Sequence, residues 1–205
     1  MAGEERPQIY LLTPADFEIE SFAPRLARVL DGAEIACLRL AMAGRDEGRI
    51  AQAADRLRPL AHERDIAIVI DTHLRLAERH GLDGVHLPDG ARSVREARRL
   101  LGPDAIVGSH CGTSRHDGMN AGEAGADYVA FGPVGGSLGT GALAERELFA
   151  WWSEMIEVPV VAEGGLSPRR VAELAPVTDF FAIGDEIWAQ EDPLAALRDL
   201  TAAIG

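Results

Sequence analysis

The stretch Glu163-Gly164-Gly165-Leu166-Ser167-Pro168 concentrates groups that could bind an anion. Two adjacent glycines bare their backbone N–H groups, and a helix opening at Ser167-Pro168 would aim its positive end at the same point. The pattern reads either as a phosphate cradle or as a tight strand-to-helix turn. Ile183-Gly184-Asp185-Glu186 looks like its partner loop, with Gly184 as a further donor and two carboxylates that would repel an anion. Asp185 either caps the last helix or faces the ligand. Asp71-Thr72-His73, Asp89 and His110 offer the groups for proton transfer or for a divalent metal, together with Glu163. Asp71 could equally cap a helix over 74–79. The glycine-rich loop 135–141, carrying Ser137 and Thr140, reads as a lid or ligand cradle. Three groups have plainer readings. His86, inside an apolar run, reads as a hydrogen-bonded core residue, and Cys37 and Cys111 read as small buried residues.

Side chains so far apart in sequence need a scaffold to bring them together. Short apolar runs recur at 9–13, 34–40, 67–70, 84–87, 106–109, 128–131, 160–162 and 180–183, each followed by a helix-like stretch. Such runs suit parallel strands buried on both faces. Eight strand–helix units in 205 residues is the lower size limit of a (β/α)8 barrel, with a doubly wound open sheet as the alternative. Asp83, Asp127 and Asp179 each stand just before a strand, a repetition that favours equivalent units and hence the barrel. A single α/β domain over 8–205, preceded by a polar tail over 1–7, is the expected organisation. Helices are expected over 50–61 and 94–101, the latter opened by a capping box at Ser93 and Glu96. Arg92, Arg95, Arg98 and Arg99 read as a solvated face, and Trp151 with Trp152 as packing or an oligomer surface. In a barrel, chemistry sits where strands end and the following loops begin. That rule selects Thr13, Arg39, Asp71, His73, His86, Asp89, Ser109, His110, Ser137, Thr140, Glu163, Gly164, Gly165, Gly184 and Asp185.

Composition excludes several partners. The net charge is −13, and the 20 basic residues, all arginine, are scattered among acids. That argues against nucleic acid and against an anionic membrane surface, which need clustered cations. No apolar run approaches a membrane span, and the first residues lack the apolar core of a secretion signal. Two cysteines make no disulfide framework. A cytoplasmic protein is the expected setting.

Several segments resemble the thiamine phosphate synthase / TenI family. They are Ile9-Tyr-Leu-Leu-Thr13, Gly81-Leu-Asp-Gly-Val-His-Leu87, Ile106-Val-Gly108, Ala124-Gly-Ala-Asp-Tyr-Val-Ala-Phe-Gly-Pro-Val134 and Pro159-Val-Val-Ala-Glu-Gly-Gly-Leu166. The resemblance implies a (β/α)8 barrel, a homodimer, and a role in thiamine biosynthesis. There an aminopyrimidine diphosphate is joined to a thiazole phosphate with Mg2+ and loss of diphosphate. The resemblance keeps Arg39 and the phosphate-binding pair Gly164 and Gly165, and the strand-end rule supplies the rest. The expected catalytic residues are Arg39, Asp71 and His110, the expected substrate or phosphate contacts Ser109, Ser137, Thr140, Gly164, Gly165 and Gly184, and the expected metal contacts Asp71 and Asp89. The chain departs from the family pattern at several of these places. Thr72 and Ala91 stand where the family has metal-binding Asp, His110 stands where it has Ser, and the family's diphosphate-binding Thr-x-Thr-Lys falls on Ser137-Leu-Gly139-Thr140, so its Lys is missing. Asp185 replaces the Ser of the last loop, and Pro133 stands where the TenI tautomerases have a catalytic His. A divergent family enzyme is therefore expected. The alternatives are a non-catalytic paralogue that binds a thiamine intermediate or a partner protein, and a repurposed enzyme using Asp71, His73, Asp89 and His110.

Overall fold

A computed structural model describes residues 6–136 and 141–204. Among them, eight parallel strands pair in sequence order and close on themselves, β1 against β8. The strands are β1 (Gln8–Leu12), β2 (Cys37–Leu40), β3 (Ala67–Asp71), β4 (Gly84–Leu87), β5 (Ile106–His110), β6 (Tyr128–Phe131), β7 (Val160–Glu163) and β8 (Phe180–Ile183). Outside them lie α1 (Ile19–Gly32), α2 (Glu47–His62), α3 (Leu74–His80), α4 (Val94–Leu101), α5 (Arg115–Ala124), α6 (Arg146–Met155), α7 (Pro168–Leu174), α8 (Asp185–Trp188) and α9 (Pro193–Thr201). This is the (β/α)8 barrel that the strand spacing predicts. Among the described residues, no helix is long and apolar enough to cross a membrane.

Strand alternation sorts the side chains. Tyr10, Val69, Tyr128, Ala130, Val161 and Ala182 fill the barrel interior, while Leu11, Leu38, Ile68, Ile70 and Val107 belong to the larger core shared with the helices. The interior is narrow, and two strand glycines make room in it. A Cβ on Gly84 would fall 1.8 Å from the Ile106 carbonyl oxygen, and one on Gly108 would fall 1.9 Å from the Tyr128 ring. Gly108→Ala must therefore displace a buried phenol. It is expected to lower stability by about 1–3 kcal/mol or more, read as a lower denaturant midpoint, because overpacking forces backbone and rotamer shifts.

The repeated aspartates act as staples between strands. The carboxylates of Asp83, Asp127 and Asp179 accept from the backbone N–H groups of Ile68, Val107 and Val160, each at 2.7 Å. Each ties the start of its own strand to the preceding strand. Ser167 caps α7 by accepting from Arg170 N, as expected. Ser93 does not cap α4; its hydroxyl donates to Asp89 Oδ2 at 2.6 Å instead. Nor is Arg98 solvated like Arg92, Arg95 and Arg99. It donates to the Ala105 and Gly125 carbonyls and to Asp127, and so holds the α4–β5 and α5–β6 turns together. Trp152 is fully buried with its indole N–H on the Val158 carbonyl, and half-buried Trp151 lies under the Arg115 guanidinium.

Three strands run one residue further than the apolar pattern suggests. The extra residues are Asp71, His110 and Glu163. Three ionisable side chains are therefore held at the ends of paired strands rather than on loops, which fixes their relative positions.

Candidate functional site

At the carboxyl ends of the strands, Arg39 is the hub. It points into the barrel from β2 and is 6% exposed. Its Nη1 donates to Glu163 Oε2 at 2.9 Å, and its Nε lies 3.1 Å from Asp71 Oδ1. Glu163 Oε1 in turn lies 3.3 Å from His110 Nδ1. Deeper in the barrel, His86 Nδ1 shares a hydrogen with the Tyr128 hydroxyl at 2.9 Å, and Tyr128 meets the Tyr10 hydroxyl at 2.5 Å. His86 is thus the buried, hydrogen-bonded residue that the sequence suggested.

The charges set one another. Burial alone would raise the Glu163 carboxyl, but Arg39, His110 and His86 together hold it well below the usual carboxylate range. Burial pushes Asp71 up to about 6, although Arg39 pulls the other way. Burial and then Arg39 hold His86 well below its ordinary value, so its imidazole is neutral at neutral pH. Burial weakens the charge on Arg39, but Glu163, Tyr10 and Asp71 more than compensate and keep it protonated. Burial pushes the Cys37 and Cys111 thiols up to about 12 and about 11, so neither is a ready thiolate.

Most buried polar groups in a native protein find partners, and exceptions point to a role. Among the described residues, the buried side-chain atoms that make no well-aligned hydrogen bond are Arg39 Nε and Asp71 Oδ1, which face each other as an ion pair, His110 Nδ1, which faces Glu163, and Asp89 Oδ1. All four belong to this one mouth.

Other expected residues fall differently. Ser109 is fully buried and its hydroxyl donates to the Gly90 carbonyl at 2.8 Å, so it anchors the loop carrying Asp89 instead of facing a ligand. Asp71 does not cap α3, whose N-cap is His73 with no side-chain bond. Asp185 is exposed and makes no cap bond for α8. Asp89 turns one oxygen to Ser93 and is not part of a converging ligand group. Thr13 is buried just past β1 and accepts from Ala41 N, which fixes the β2 loop. Ser137 and Thr140 lie outside the described residues.

The glycine loops meet two demands at once. Gly164 and Gly165 have φ of +82° and +72°, which disfavours any side chain. A Cβ on Gly165 would also sit 2.4 Å from the Gly135 carbonyl oxygen. Part of the glycine pair is therefore explained by backbone packing alone. Beside it stands Glu186, which the sequence presented only as a carboxylate that would repel an anion. Glu186 Oε1 accepts from Leu166 N at 3.2 Å and Oε2 from Gly184 N at 2.9 Å. One carboxylate thus bridges the loops after β7 and β8, where barrel enzymes commonly bind phosphate.

Comparison with known proteins adds the family context. A family profile described as "Thiamine monophosphate synthase" matches residues 9–185. A protein named thiamine-phosphate synthase from Rhodospirillum centenum is 42% identical over 196 residues, covering 94% of this chain and 95% of its own length. A protein of the same name from Erythrobacter litoralis is 37% identical, with 95% of each chain covered. The solved thiamine phosphate pyrophosphorylase from Pyrococcus furiosus superposes with a TM-score of 0.83, covering 96% of this chain and 95% of its own, at 22% identity. That last likeness speaks to the fold.

Proposed function

The chain belongs to the thiamine monophosphate synthase family, and from that premise we propose that it is an enzyme of thiamine biosynthesis that joins an aminopyrimidine diphosphate to a thiazole phosphate at the barrel mouth. The observation that carries this reading is the buried Arg39, held between Glu163 and Asp71 at a place where the resemblance puts a family arginine. Departure of diphosphate leaves positive charge on the pyrimidine. The Glu163 and Asp71 carboxylates, fixed before the reaction, are suited to stabilise it. His110 directs Nδ1 at Glu163. Its other nitrogen, Nε2, would hold a proton against the departing diphosphate. Ser137 and Thr140 would meet the diphosphate. The backbone N–H groups of Gly164, Gly165 and Gly184 would take the acceptor's phosphate in exchange for Glu186.

The family implies Mg2+, an ion that takes one or two carboxylates plus substrate phosphates. Asp71 ends β3 and Asp89 follows the neighbouring β4; Asp89 Oδ1 is buried without a hydrogen-bond partner and Asp71 Oδ1 faces only the Arg39 guanidinium, so the carboxylates fit such an ion. They would hold the ion, which neutralises diphosphate charge when bound. Asp71 must then be ionised. Its carboxyl lies near 6, pushed there by burial, so activity at limiting Mg2+ is expected to rise with pH through about 6. Asp71→Asn should abolish that limb, and a pH–rate profile of the two proteins at fixed Mg2+ checks it.

A second reading is favoured by Glu186, which already occupies donors that a phosphate needs. On that reading the chain is a non-catalytic relative that binds a thiamine intermediate or a partner protein. Tight binding without Mg2+ and without product would distinguish it. On either reading we take the protein to be a cytoplasmic homodimer. Sedimentation equilibrium tests the dimer, with two chains per particle expected.

A further inference from the structure

Among the described residues, one group of His, Cys, Asp and Glu side chains converges on a point. It comprises His86, His110 and Glu163, whose ligand atoms all lie within 4.8 Å of one another. We propose that these three residues form a transition-metal site, for Zn2+ or a similar first-row ion, separate from the Asp71 and Asp89 oxygens.

The donor set is two imidazoles and one carboxylate. Zn2+ takes such a set in catalytic sites and leaves a fourth position open, whereas Mg2+ prefers all-oxygen surroundings. The three ligands stand on β4, β5 and β7, so the paired strands of the barrel fix their spacing.

Each ligand has an atom to give. His110 Nδ1 is buried and faces Glu163 Oε1 at 3.3 Å without a well-aligned hydrogen bond, so both atoms are turned to one point. Glu163 divides its two oxygens: Oε2 accepts from Arg39, which leaves Oε1 on the side of His110. His86 bonds through Nδ1 to Tyr128, which leaves Nε2 as its ligand atom. Ligating histidines usually anchor their second nitrogen in this way, and the Tyr128–Tyr10 pair extends the anchor into the core.

Charge favours the ion as well. Arg39 is one positive charge against the two carboxylates of Asp71 and Glu163, so the point carries a net negative charge before any ion binds. The open fourth position takes a water, a phosphoryl oxygen or a heterocycle nitrogen. None of this depends on the thiamine reaction.

The test is a Zn2+ titration of tag-free, chelator-stripped protein against a chromophoric chelator, in excess Mg2+, with Co2+ spectra alongside. One equivalent per chain is expected to compete with the chelator. The Co2+ spectrum should be tetrahedral and lack a thiolate charge-transfer band. His110→Ala, at a partly exposed strand end, should weaken Zn2+ by a hundredfold or more. Tyr128→Phe, which removes only the hydroxyl behind His86, should weaken it roughly tenfold. His116→Ala, on the surface beside Asn120, should change nothing. No competing equivalent, a thiolate band, or Zn2+ affinity unmoved by His110→Ala would overturn the site.

Discussion

Arg39→Ala is expected to cost the protein about 3–5 kcal/mol, the range for stripping one partner from a buried ion pair. The loss comes chiefly from what is left behind. Glu163 is mostly buried, and Arg39 is the largest of the influences that keep it ionised against burial. In the wild type its carboxyl is lowered relative to the unfolded chain. It therefore contributes stability above about pH 4.3, the unfolded value, and that contribution fades as pH falls below it. Without Arg39, burial dominates and the carboxyl is raised. The sign then reverses: the native state holds a proton that the unfolded chain has lost, and stability falls as pH rises through the new value. Guanidinium midpoints measured from pH 4 to 8 should show this reversed slope. Adding Glu163→Gln to Arg39→Ala should restore part of the loss and flatten the slope. A wild-type slope in Arg39→Ala would mean that Glu163 is not governed by Arg39.

The second large effect is on phosphate. Glu186→Ala should tighten binding of inorganic phosphate about tenfold, or roughly 1.4 kcal/mol. The carboxylate now occupies Leu166 N and Gly184 N, and an arriving phosphate must displace it or sit beside it. Two like charges 4 Å apart near a protein surface repel by about 4 kcal/mol, part of which salt removes. Truncation frees both donors and deletes the repulsion. Glu186→Gln removes the charge but keeps an oxygen on the donors, so its gain should be smaller. Isothermal titration at low and moderate salt checks the order. Equal affinity in all three proteins would place phosphate elsewhere.

The barrel was legible because its units repeat. Apolar runs at regular spacing, and an aspartate before three of them, specify equivalent strands, and the structure shows each aspartate clamping its neighbour strand. The strand ends were less legible. Asp71, His110 and Glu163 are polar, so hydropathy stops short of them, yet backbone pairing continues through them. Within the site, the mouth residues could be picked from their positions, but not their pairings. Nothing in sequence spacing says that Arg39 spans Asp71 and Glu163, 32 and 124 residues away. Glu186 was visible only as an awkward charge, because its role depends on two backbone N–H groups that converge in the folded chain. Ser109 and Ser93 show the converse. Their types suggested a ligand contact and a helix cap, and neighbouring acceptors took their hydroxyls instead.

Catalysis by this barrel can be assayed directly. The purified protein is mixed with the aminopyrimidine diphosphate, the thiazole phosphate and Mg2+, and thiamine phosphate is followed by fluorescence after oxidation. The expected result is product at a rate that falls when Mg2+ is removed and is lower, though measurable, in Asp71→Asn. No product, beside a control synthase active in the same mixture, would rule out the synthase reaction and leave the barrel as a binding protein.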